Sequence, residues 1–441
     1  MSSATRRLLT VAAITVCALL TGAAAAYPDT ARQLPDTARQ LPDTARQLPD
    51  TAGPGWSATW TAAPQRPGVS FAPNWSQQGF TRQTVRQIVR ISVGGKAARI
   101  RLSNRYGTTP LTIDHATLAR TALGAAVEPG SLRRLTVRGK RAFTVPAGAD
   151  LATDPVPLRP AALDSLTITF FANQPTGPAT YHAQALATTY RAAGDHAADV
   201  GAAAFTDTTQ SWYYLTGVDV IPTARHGGVV TFGDSLTDGA GSSADADNRY
   251  PDELAELLAA TGTPRAVLNQ GIAGNRVTVD SAWFGEKATA RFRRDVLGQP
   301  GVRTVVILAG VNDIGIGELA AAPPSPIFAP YPDVSAGQVI AGLGELIRMA
   351  HAEGLRVIGA TMMPVKGSAY YTDRSEAKRE AVNAWIRASA AFDAVVDLDR
   401  VTASPADGDR LDPAYDSGDH LHLNDAGYRA VAGAIDPAEL G

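Results

Sequence analysis

The chain is expected to be an all-β sandwich followed by an α/β domain whose parallel sheet is covered by helices. Three observations predict this. From Trp56 to about Pro222, apolar and polar side chains alternate in short runs with no long helical period, the pattern of an antiparallel sandwich. After His226, short apolar runs alternate with amphipathic stretches of helical period, as βαβ units require. The length of 441 residues suits two or three domains at roughly 150 residues each. With 45% hydrophobic and 19% charged residues, the composition excludes wholesale disorder. A formal charge of 40 − 42 = −2 leaves no global field to recruit nucleic acid or anionic lipid.

Taken in order, residues 1–26 read as a secretory signal peptide. Arg6 and Arg7 precede the apolar run Leu8 to Leu20, and the small residues from Gly22 to Ala26 follow; this is the n-region, core and exit of a cleaved leader. The alternative, an uncleaved anchor, is disfavoured by the short run and by the lack of a second basic flank. Secretion to the extracellular space is expected, with no stable membrane insertion once the leader is removed. Cleavage removes Cys17, the only cysteine, so the mature chain has no thiol nucleophile, zinc–thiolate site or iron–sulfur cluster. In residues 27–55 the heptapeptide Pro-Asp-Thr-Ala-Arg-Gln-Leu occurs three times, with a partial fourth copy. A proline in every repeat forbids a coiled coil, and a flexible, semi-extended spacer is expected.

Residues 56–222 form the expected sandwich. Val85 to Val93 and Ala98 to Leu102 alternate on either side of Gly94-Gly95, which reads as a hairpin with a primed turn. Leu135-Thr136-Val137, Phe143-Thr144-Val145 and Leu166 to Phe170 supply further strands. Arg86, Arg90, Arg99 and Arg101 are expected on one solvated strand face, with a patch for acidic glycans as the sharper alternative.

Residues 223–441 form the expected α/β domain. Strands are predicted at Val229–Phe232, Val267–Leu268, Thr304–Leu308, Arg356–Ile358 and Ala394–Val396. Helices are predicted from Pro251 to Leu258, Ala336 to Ala352, Ala377 to Ala388 and from about Asn424. In such a sheet the site lies at the carboxyl ends of the strands. Gly233-Asp234-Ser235-Leu236, Asn269-Gln270-Gly271 and Gly310-Val311-Asn312-Asp313 follow the first three strands, and Asp419-His420-Leu421-His422 precedes the last helix. A serine hydroxyl is inert until a base takes its proton, and that base needs an orienting carboxylate. The chain supplies all three.

These four segments, in this order, resemble blocks I, II, III and V of the GDSL, or SGNH, hydrolases, over essentially all of residues 228–435. The resemblance implies a flavodoxin-like α/β/α sandwich, and a serine esterase that forms an acyl-enzyme intermediate. It implies Ser235 as nucleophile, His422 as general base and Asp419 as the carboxylate orienting it. The backbone amides of Ser235 and Gly271 and the side-chain amide of Asn312 would form the oxyanion hole. The preceding β region resembles the N-terminal sandwich of some secreted actinobacterial members. Leu423 stands where members often have proline.

Bland readings sit beside each assignment. Ser235 could cap a turn, Asn312 could satisfy a loop backbone, and Gly271 and Gly274 could only shape a turn. His420 is the rival base, set aside by the Asp-x-x-His register. Asp234 and Asp238 are expected to hold their loop through backbone hydrogen bonds. Residues 318–334, with Phe328 and Tyr331, either border the substrate pocket or form a surface loop. No cofactor and no metal is implied, and a monomer acting on a small-molecule or polysaccharide ester, with short acyl groups such as acetyl, is expected. The runner-up readings are a lipase or phospholipase-type acylhydrolase and a glycan-binding protein with a vestigial hydrolase domain. An α/β-hydrolase is disfavoured, because Ser235 does not lie in a Gly-x-Ser-x-Gly elbow.

Overall fold

The computed structural model describes residues 55–224, 226–319 and 326–441. The expected signal peptide and nearly all of the heptapeptide spacer therefore lie outside the described residues. The described residues fall in one compact unit, built on two large hydrophobic cores.

The first core is enclosed by two antiparallel sheets. One has four strands in the order Ser57–Thr61, Leu215–Pro222, Gly95–Ser103, Asp150–Ala152. The other has six, with Gln83–Arg90 and Ser165–Ala172 at its centre. Alternate residues face inward, as the two-residue period dictates: Val85, Val89, Ile168 and Phe170 from one sheet meet Ile100, Leu102, Val218 and Val220 from the other.

The expected hairpin at Gly94-Gly95 is not formed. Gln83–Arg90 and Gly95–Ser103 belong to different sheets, and the connection is a corner between them. Here the glycines serve close approach. A Cβ on Gly94 would lie 2.3 Å from the Pro160 carbonyl oxygen, and one on Gly95 would lie 2.5 Å from that of Ile221. The four arginines do not share a solvated face either. Arg86 is fully buried, donating to the carbonyls of Ala125 and Asp199 beneath the Phe205 ring. Arg90 pairs with Glu256 of the α/β half, and Arg99 and Arg101 both face the buried Asp219 carboxylate. Strand alternation places a side chain on a face without saying whether that face is covered.

The second core surrounds five parallel strands in the order Val267–Gly271, Gly228–Gly233, Val302–Leu308, Arg356–Ala360, Ala394–Val396. In chain order this is 2-1-3-4-5, the flavodoxin-like arrangement, which opens a crevice beside the first strand where the winding reverses. Helices flank the sheet, and their starts follow their caps. Ala336–Ala352 begins behind a capping box of Ser335 and Gln338. Asp373–Ala388 begins four residues earlier than its apolar period suggests, because Thr372 and Ser375 make a second box.

The β half lies along the outer edge of Val267–Gly271. The Ser92 hydroxyl accepts from the Val267 amide at 3.0 Å and donates to the Thr59 carbonyl at 2.7 Å. The Thr61 hydroxyl donates to the Asn269 carbonyl, and the Ala58 amide to that of Pro300.

Candidate active site

Ser235 opens a one-turn helix, Ser235–Asp238, at the carboxyl end of the first parallel strand. The sequence forces this turn. The Asp234 carboxyl accepts from the Leu236 amide at 3.1 Å as N-cap, and Gly239 ends the turn at φ 108°. A Cβ on Gly233 would lie 2.1 Å from the Leu308 carbonyl oxygen, so glycine is required before the turn. At the other end of the chain, Asn424 caps the helix Asp425–Ala434 and presents the loop before it.

That loop meets the serine. His422 Nε2 lies 2.8 Å from Ser235 Oγ, and His422 Nδ1 lies 2.6 Å from Asp419 Oδ2. The other Asp419 oxygen accepts the amides of His422 and Leu421. Burial alone would raise the Asp419 pKa, but the bond to His422, its charge and these amides outweigh burial and hold the carboxyl well below its usual range. His420 points elsewhere: its Nδ1 meets Asp416 Oδ2 at 2.6 Å, and about half of its side chain is exposed.

Asn312, from the start of the helix Val311–Glu318, is buried. Its Oδ1 accepts from the Tyr370 hydroxyl at 2.9 Å, while Nδ2 donates one hydrogen to the Asn275 carbonyl at 3.1 Å and keeps the other. Asp313, next in sequence, accepts the amides of Val277 and Thr278 and the Thr278 hydroxyl, tying this helix to the loop after the second strand.

Gly271 is not placed as the resemblance implies. Its amide donates to Asn269 Oδ1 at 2.8 Å, so it has no hydrogen to offer an oxyanion. The residue is glycine for space, since a Cβ there would lie 2.2 Å from the Asp238 backbone nitrogen. Three residues on, Gly274 has φ 75°, and a side chain would run into the Phe284 ring at 2.4 Å. Among the described residues, neither the Gly274 amide nor that of Ser235 has an acceptor. Two backbone N–H groups and one amide hydrogen are therefore uncommitted.

Several supporting residues carry no signal in the sequence. Tyr370 fixes which way the Asn312 amide points. Arg291 is fully buried under the crevice and donates to the carbonyls of Gly233 and Gln270 and to Asn275 Oδ1, pinning two strand ends and the Gly274 loop together. Asp234 and Asp238 do hold backbone amides, of Leu236 and Ala273. Burial, reinforced by the nearby Asp313 charge, pushes the Asp234 carboxyl up to about 7.

A hydroxyl bonded to a ring nitrogen, whose other nitrogen faces a carboxylate, can lose its proton as it attacks an electrophile. Uncommitted N–H groups nearby can receive the negative charge that results. Residues 231–430 match the model of the GDSL-like Lipase/Acylhydrolase family. These residues form a GDSL-family hydrolase domain. Solved structures similar to this chain include a GDSL-like lipase from Bacteroides thetaiotaomicron, 20% identical, covering 48% of this chain and 86% of its own, with a TM-score of 0.35. A carbohydrate acetylesterase from Sinorhizobium meliloti is 16% identical, covering 48% of this chain and 96% of its own, with a TM-score of 0.36. A Geobacillus acetyl-xylooligosaccharide esterase variant is 22% identical, covering 49% of this chain and 97% of its own, with a TM-score of 0.37. No curated protein matches the chain.

Proposed function

We propose that this GDSL-family protein is a secreted serine esterase that removes short acyl groups, acetyl foremost, from carbohydrate. The Asp419–His422–Ser235 chain of hydrogen bonds carries the reading. Ser235 Oγ attacks the ester carbonyl while His422 Nε2 takes its proton. The tetrahedral oxyanion is received by the Ser235 and Gly274 amides and the free Asn312 Nδ2 hydrogen. Collapse expels the alcohol, which takes the proton back from His422, and leaves an acyl-enzyme. Water then repeats the sequence, again with His422 as base, and releases the acid. Asp419 holds the ring with Nε2 toward the serine and stabilises the imidazolium. Secretion rests on the leader-like residues 1–26.

The carbohydrate reading draws on the aromatic surface next to the Gly274 loop. Phe284, against Gly274, is stacked with Phe71 at 5.9 Å and lies 5.6 Å from Phe328. Phe71 is 55% exposed, a flat ring of the kind that packs on the apolar face of a sugar. The exposed Val69 and Phe71 also suit a fatty acyl chain, which supports a lipase-type acylhydrolase as the second reading. The deciding experiment is a hydrolysis panel of p-nitrophenyl esters from acetate to palmitate, run beside acetylated xylan and a phospholipid. Highest kcat/KM on acetate together with acetate release from xylan supports the first reading. Preference for palmitate or the phospholipid replaces it with the second.

A further inference from the structure

The strand Tyr181–His182 belongs to the β half, yet its histidine is buried against the catalytic turn of the α/β half. His182 Nε2 lies 2.9 Å from Asp238 Oδ1, and Nδ1 lies 3.0 Å from the Ala63 carbonyl oxygen. Trp212 stacks on the ring at 5.6 Å. Asp238 closes the one-turn helix that Ser235 opens. Its second oxygen, Oδ2, accepts from the Ala273 amide at 2.9 Å, and the next residue is Gly274. One carboxylate thus ties the nucleophile's turn to the loop presenting the Gly274 N–H.

Both nitrogens of His182 face acceptors. A neutral imidazole has one N–H, so one lone pair would point at a carbonyl or carboxylate oxygen; with both nitrogens protonated, every contact is satisfied. Burial alone would lower the His182 pKa. The Asp238 charge and hydrogen bond and the Ala63 carbonyl outweigh burial and leave it raised, against the opposing charge of Arg249. Arg249 is itself paired with Asp252. Arg291 and Tyr428 are the other ionisable groups that feel Asp238.

We propose that His182 is a positioning residue for ester hydrolysis: as an imidazolium it clamps the Asp238 carboxylate, which sets the Gly274 amide relative to Ser235. Through His182 the β half then completes the oxyanion site from a buried position that itself touches no substrate. This rests on the serine-esterase reading above. The clamp acts on the placement of an oxyanion donor and therefore on kcat. A raised histidine pKa means the clamp is intact at low pH and is lost as pH rises through it.

Three variants and one spectrum test the idea. His182→Ala should lower kcat by about 10- to 100-fold, the scale of a misplacement of about 1 Å, with KM little changed. In Asp238→Asn the new amide would donate to a neutral His182 Nε2 while its oxygen still accepts from Ala273. The hydrogen bonds survive but the charge does not. Asp238→Asn should therefore lack the alkaline decline in kcat that the clamp predicts for wild type. The ¹⁵N resonances of wild-type His182 at pH 7 should report both ring nitrogens protonated. A folded His182→Ala with wild-type kcat, an Asp238→Asn variant that keeps the alkaline decline, or a neutral His182 tautomer each overturns the proposal. Ser235→Ala separates the two readings: full activity there removes the esterase mechanism itself, whereas an inactive Ser235→Ala beside an indifferent His182→Ala removes only the clamp.

Discussion

Two histidine–carboxylate pairs meet the same one-turn helix, and their chemistry differs through the second ring nitrogen. In His422–Asp419 that nitrogen faces the Ser235 hydroxyl; in His182–Asp238 it faces the Ala63 carbonyl. A hydroxyl has a proton to give up and a carbonyl has none, so only the first pair can work as a relay. Their settings match those tasks. The Asp419 side chain is 47% exposed beside an open crevice, whereas His182 and Asp238 are 4% and 2% exposed. Residue type and pair distance do not reveal function; the atom on the far side of the ring does.

The largest effect should come from breaking the relay. Ser235→Ala and His422→Ala should each cut kcat by about 10⁵- to 10⁶-fold, and the double variant should be hardly worse, because the residues act as a unit. Additive losses, measured on a short-chain ester, would show that they do not. Against this, the loss at His182 should be smaller by orders of magnitude and confined to kcat.

Next comes the oxyanion hole. Asn312→Ala should lose about 10²- to 10³-fold in kcat, or about 2.7–4 kcal/mol, with KM nearly constant. Asn312→Asp should be worse, since a carboxylate repels the charge it faces. Tyr370→Phe leaves the amide in place but frees its orientation, so a loss of about 1 kcal/mol, the worth of one hydrogen bond, is expected. If Asn312→Ala raised KM alone, Asn312 would be a ground-state contact.

A third carboxyl at this turn has no histidine partner. Asp234 Oδ2 is buried without a hydrogen bond among the described residues, and its pKa is pushed up to about 7. An unfolded aspartate titrates near 3.9. The folded state therefore holds this proton more tightly, and its stabilisation is complete below about pH 4 and lost as pH rises toward 7. Asp234→Asn should flatten that part of the Tm–pH curve; an unchanged slope would assign it to other groups. The smallest effect should be at His420. The His420 side chain is half exposed beside Asp416, so His420→Ala should cost less than about 1 kcal/mol of stability and leave kcat intact.

The sequence made the α/β half more legible than the β half, for a physical reason. Buried parallel strands are continuous apolar runs, and Ala336–Ala352 and Ala394–Val396 were read to the residue. Between Gln83 and Ser103, alternation named two strands but not the sheet each joins, because that depends on what passes behind Gly94 and Gly95. In the site, Ser235, Asp419, His422 and Asn312 lie in short spaced motifs; hydrogen bonds join the first three, and Asn312 is bonded to Asn275 and Tyr370. The resemblance points to Gly271 for the oxyanion hole, but a motif cannot show that its amide is already bonded to Asn269. His182 and Tyr370 reach the site from elsewhere in the chain, and nothing within a few residues of either announces it.

The contact along Val267–Gly271 has a consequence for how this molecule can be cut or recombined. That strand is the sheet's edge, and Ser92, Thr61 and Ala58 occupy polar groups along or beside it. Residues 223–441 expressed alone would present an open strand edge next to uncovered apolar surface, a template for pairing with other chains. The portable piece of this protein is therefore the β half and the α/β half together, and the hydrolase half by itself should go into aggregates.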